Sequence, residues 1–165
     1  MRERILFGVR VRLKSESKLI KFMNFFIKPF LYGFMDTYWT TIGTTTYAPT
    51  YFDGLFLEPE ENLQDHKMVL EHELIHINDY KKYHIWFILT YLFPPFLFAY
   101  GRFRWESKAY LPELQSIIDS HQYSYFYTRL DEICNELDGP GYLWCWPKSW
   151  IKKWFLKKTE MVILQ

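Results

Sequence analysis

The sequence predicts one α+β domain over residues 1–165, mostly helical, with a short sheet beside a central helix. Three observations carry this. Most of the chain has apolar residues at helical spacings of three and four. The stretch from Asp36 to Gly54 is instead rich in Thr, Tyr and Trp, with Gly43, Pro49 and Gly54 as turn residues. No repeat, low-complexity linker or composition shift divides the chain, and its length suits one core.

The elements follow in order. Val9 to Leu13, "VRVRL", alternates apolar and basic, as a half-exposed strand does. Ser15 or Ser17 then caps a helix in which Leu19, Phe22, Phe26 and Phe30 recur at spacings of three and four between lysines. Pro29 ends or kinks it. Asp36–Gly54 reads as a hairpin or two short strands, with Gly43 at a turn or bulge. "LEPEENLQD" is a polar loop, and Asn62 or Asp65 caps the helix from about His66 to about Tyr83. Ile85 to Tyr100 is free of charge and carries Pro94-Pro95. The segments around Pro112 and from Tyr125 to Leu137 read as helices, the second stopped by "DGPGY". Trp146 to Lys158 reads as a closing helix.

Twenty basic residues against nineteen acidic leave no global field for nucleic acid, which is excluded as an expected partner. Seven Trp, thirteen Tyr and fifteen Phe exceed what a small core needs. Some rings are therefore expected on a surface used by an assembly partner, a membrane or a peptide. Cys134 and Cys145 read as free thiols in a reducing compartment, with a single bridge between them as the alternative. The start "MRERILFGVRVRLKSE" has no apolar run of signal-peptide length, so a cytoplasmic location is expected.

The chemistry concentrates in His72-Glu73-Leu74-Ile75-His76. On a helix, residues four apart stack on one face, so both imidazoles can reach one Zn2+. Glu73, one position round, is poorly placed as a ligand but well placed to take a proton from a water on the metal. Leu70, Leu74 and Ile77 supply a core stripe beside the histidines. The competing reading is an ordinary amphipathic helix that holds two histidines by chance.

A catalytic zinc needs a third protein ligand and an open fourth position. Asp79 and Lys82 stand where a metzincin would carry Gly or Asn and then His or Asp. His84 lies at least a turn too far along. Asp79 can approach, though it suits a role as acceptor for a histidine N–H. The better candidate is Glu106 in "RFRWESKAY"; its competing role is to pair with Arg102 or Arg104.

With these residues placed, the chain resembles the gluzincin zinc metallopeptidases, which carry HExxH on one helix and a glutamate ligand on a later one. It is more closely similar to small uncharacterised zincin-like metallopeptidases of bacteria and phages. These share a "TTIG" strand followed by Tyr and Pro, here Thr40-Thr41-Ile42-Gly43, Tyr47 and Pro49, and an "E..AY" helix, here Glu106, Ala109 and Tyr110. The resemblance covers roughly Trp39 to Tyr110. It implies Zn2+ on His72, His76 and Glu106, peptide hydrolysis with Glu73 as general base, and an edge strand that holds an extended peptide. One departure is Tyr110, which stands where an aspartate usually buttresses a zinc histidine.

Two further readings concern surfaces. Ile85–Tyr100 is too short for a span and is expected in the core. Trp146, Trp150 and Trp154 lie four apart among lysines, so residues 146–158 either dock on the core or lie on an anionic membrane. The alternative to an enzyme is a structural or interaction protein that keeps the zincin fold, such as a phage virion or assembly component.

Overall fold

A computed structural model describes residues 2–29, 32–92, 99–139, 142 and 146–161. The fold is α+β, mostly helical with a four-stranded sheet. It comprises two compact units, Met1–His84 and Ile85–Gln165.

The first unit holds the sheet. Strands β1 (Glu3–Leu6) and β2 (Val9–Leu13) form an antiparallel hairpin, and β3 (Thr40–Ile42) and β4 (Thr45–Ala48) form another. β2 and β4 pair in parallel, giving the order β1-β2-β4-β3. The expected strand at Val9–Leu13 is present, and so is the hairpin around Gly43. Gly43 sits at φ +64, a conformation that glycine adopts without steric cost. Sequence reasoning missed β1, whose pairing leaves Arg10 exposed and Val9, Val11 and Leu13 buried.

Both faces of the sheet are covered. Helix α2 (Lys67–Tyr83) packs on one face, where Leu6, Val9, Val11, Leu13, Ala48, Leu63, Leu70 and Ile77 form a core. Tyr47, pointing the other way by the period-two rule, joins Ile20 and Phe34. Ile20 belongs to α1 (Lys18–Ile27), whose first turn is capped by Ser17 accepting from the Ile20 amide. α1 is amphipathic as expected, but the face is the opposite one. Ile20, with Met23 and Ile27, turns inward, whereas Leu19, Phe22 and Phe26 are exposed. Phe30 lies outside the described residues. Ile20, Met23 and Ile27 also repeat at three and four, so the sequence offered two stripes and the sheet chose the aliphatic one. The expected caps of α2 are likewise absent. A 3-10 segment, Glu60–His66, runs into the helix, and His66 stands at the cap position without a side-chain bond.

The second unit is a succession of helices: α3 (Ile85–Leu92), α4 (Ala99–Asp119), α5 (Tyr123–Leu137) and α6 (Lys148–Lys158). Each packs on its chain neighbour. Leu114, Phe126, Leu130, Ile133, Ile151 and Phe155 are at the centre of the core. Pro112 lies within α4, as the helical reading on both sides of it requires. α3 is only partly buried: Phe87 is inside, while Ile85 and Trp86 are exposed. Pro94 and Pro95 lie outside the described residues, as does Cys145. Cys134 is a buried free thiol that burial pushes up to about 12. Trp146, just before α6, stacks on Phe103 at 5.2 Å, and Trp154 of α6 meets the same ring edge-on at 5.3 Å, leaving Trp150 exposed. Among the described residues, no helix is long and apolar enough to cross a membrane.

Candidate metal centre

The HExxH residues lie in mid-helix on α2. Leu70, Glu73 and Ile77 follow at spacings of three and four and are buried with the sheet side of the helix. His72 and His76 form the adjacent stripe. Their Nε2 atoms stand 3.1 Å apart, with the rings crossed at 75°. Two nitrogens on one tetrahedral zinc, each about 2.0–2.1 Å from it, would be about 3.3 Å apart. The pair thus fits a shared ion with a shift of a few tenths of an ångström. Two imidazoles together with a carboxylate are also a donor set suited to zinc.

The sheet holds Glu73 in place. Thr41 and Thr46 are register partners on β3 and β4, so their side chains leave the same face. That is also the face of Ala48, which packs with Leu70 and Ile77. Thr41 Oγ1 donates to Glu73 Oε2 at 2.5 Å. A hydroxyl has one proton, so at the 2.7 Å contact with Thr46 Oγ1 it is Thr46 that donates. One carboxylate oxygen is therefore tied down, leaving Oε1 for other work.

A buried cation accompanies this carboxylate. Lys14, just after β2, is fully buried, and its Nζ donates to the carbonyls of Phe34 and Tyr38 at 2.5 Å each. It also stands 4.1 Å from the Phe34 ring centroid. Burial pushes its ammonium down from 10.5 to about 7, with Glu73 and Asp36 pulling the other way. Sequence reasoning missed Thr41 and Lys14 as partners of the site. The signal for Thr41 was available in the alternation of the hairpin; none pointed to Lys14, which reads as one more surface lysine.

Glu106 lies on α4 and is 1% exposed. Within its own unit it accepts a hydrogen bond from the Tyr91 hydroxyl. Arg102 donates to the carbonyls of Tyr91 and Tyr142, at 2.6 and 3.1 Å, and covers the Tyr91 ring. Arg104 lies over Trp105. Tyr110 donates to Glu136 at 2.8 Å and meets the Tyr142 hydroxyl at 3.0 Å. Burial pushes both phenols well above their ordinary values, so they remain hydrogen-bond donors at neutral pH. Asp79 is buried on α2, and His84 closes that helix with φ +47. His72 and His76 belong to the first unit and Glu106 to the second. No protein-family model, curated protein or solved structure matches the chain.

Proposed function

We propose that the protein is a zinc-dependent metallopeptidase, with His72, His76 and Glu106 as ligands and Glu73 as general base. The observation that carries the reading is the convergence of the two Nε2 atoms beside a carboxylate tethered by Thr41. A bound zinc supplies a water of lowered pKa and polarises the scissile carbonyl. Glu73 Oε1 takes that water's proton and later returns it to the departing amine. Thr41, on Oε2, holds the carboxylate in the rotamer this exchange needs. β3 is a sheet edge, and an extended peptide is bound there by strand addition beside the base.

The test is elemental analysis of the purified chain, expressed with zinc supplied, followed by hydrolysis of a quenched-fluorescence peptide library. Wild type is expected to hold one zinc per chain and to cleave. Glu73→Gln keeps the metal and loses cleavage, whereas His76→Ala and Glu106→Ala lose most of the metal. A folded wild type without metal sinks the reading. A protein that holds zinc firmly yet cleaves no peptide leaves a metal-bound structural or assembly protein instead.

A further inference from the structure

The exposed face of α1 is built to meet something other than water. Phe22, Phe25 and Phe26 are 64%, 77% and 58% exposed, and Leu19 beside them is 50% exposed. The rings form one cluster: Phe26 lies edge-on to both Phe22 and Phe25 at 5.3 Å. The opposite side of the helix, Ile20 with Met23 and Ile27, is already committed to the fold. Adjacent large apolar side chains on a surface mark an interaction site, whereas single ones do not.

The charges around this cluster select the partner. From Ser17 to Met35 the only charged residues are Lys18, Lys21 and Lys28, and all three are exposed. Lys21 and Lys28 are seven apart, so they line one border of the phenylalanine stripe. Lys18 stands at its start. A second copy of the chain would set these lysines against themselves. A lipid surface accepts both features at once, since the rings enter the acyl boundary while the lysine stems bend their ammonium groups to the headgroups.

We infer that α1 docks the protein on an anionic lipid surface through Leu19, Phe22, Phe25 and Phe26, with Lys18, Lys21 and Lys28 contacting acidic headgroups. The helix lies along the surface and does not cross it. This reading is independent of the metal centre, and it places the contact on α1, whereas the sequence offered residues 146–158 a membrane surface only as the alternative to docking on the core.

The experiment is co-sedimentation of the full chain with phosphatidylcholine–phosphatidylglycerol vesicles and with vesicles of phosphatidylcholine alone, at low and high salt. Wild type is expected to bind the mixed vesicles, weaken with salt, and bind the neutral ones at least about tenfold less well, since each lysine near such a surface contributes about fivefold. Phe22→Ser/Phe25→Ser/Phe26→Ser should lose about tenfold or more, and Lys21→Glu/Lys28→Glu should lose a comparable amount. These side chains are in water, so thermal melts should stay near wild type. Phe25→Ser alone, at the most exposed ring, serves if the triple variant proves insoluble. The inference is overturned if wild type binds neither vesicle, binds both equally, or binds as well after the serine substitutions. It is also overturned if wild type self-associates in sedimentation velocity through this face while ignoring lipid.

Discussion

Lys14 makes folding stability depend on pH in a way that can be measured without knowing the protein's activity. In the unfolded chain its amine titrates near 10.5, whereas in the fold burial brings it to about 7. Below pH 7 both states are protonated, and the fold bears the whole cost of the buried charge. Between about 7 and 10.5 the unfolded state binds more protons than the folded one, so unfolding free energy rises with pH. At about 1.4 kcal/mol per pH unit, the full displacement amounts to on the order of 5 kcal/mol, of which about 2 kcal/mol should emerge between pH 7 and pH 9. The neutral amine keeps two N–H groups, enough for the carbonyls of Phe34 and Tyr38. Lys14→Met removes the titration and leaves those carbonyls without their donor, at a cost of about 1–3 kcal/mol each. The offset and the slope are therefore separable. Urea unfolding at pH 7, 8 and 9 with a chelator present should show wild-type stability climbing relative to Lys14→Met. Parallel curves for the two proteins across that range would refute the assignment of Lys14 as a buried, displaced amine.

Thr41→Val removes the tether on Glu73 but no proposed ligand; zinc content should be unchanged while kcat for peptide cleavage falls about tenfold or more. Gly101→Ala would place a Cβ 2.7 Å from the Thr90 carbonyl oxygen, where α3 meets α4. The helices must part, and a loss of about 1–3 kcal/mol, or roughly 3–10 °C in Tm, is expected by calorimetry. Glu113→Gln weakens a two-pronged pair with Arg129, whose guanidinium lies at 2.5 and 3.4 Å and is only 19% exposed; chemical unfolding should show a loss of about 1–3 kcal/mol that high salt only partly removes. Phe126→Ala, at the centre of the helical core, should cost about 3–5 kcal/mol in the same assay.

The elements whose pattern is local were legible in the sequence. The HExxH helix runs within a residue of its expected bounds, because Leu70 and Ile77 set its buried face and no competing period crosses it. The β3–β4 hairpin followed from threonines and tyrosines around Gly43. What was not legible depends on partners distant in the chain. The choice between two apolar stripes on α1 was made by Tyr47 and Phe34, which no window around residue 20 contains. Lys14 was invisible for the same reason, since its acceptors are backbone carbonyls of residues 34 and 38. Of the proposed site, the residue types and the spacing of the histidines were readable. The threonine relay onto Glu73 required knowing that Thr41 and Thr46 are register partners.

The parallel pairing of β2 with β4 has a consequence for how the protein forms. It joins residues as far apart in sequence as Val11 and Thr46, so the sheet cannot close until α1 and the chain after it have been gathered in. In the second unit, each helix finds its partner next along the chain. Low contact order favours rapid formation of those helices, and the long closure slows the sheet. Thr41 can engage Glu73 only once β3 has its place beside β4. Glu73 therefore gains its Thr41 partner only with the late closure of the sheet.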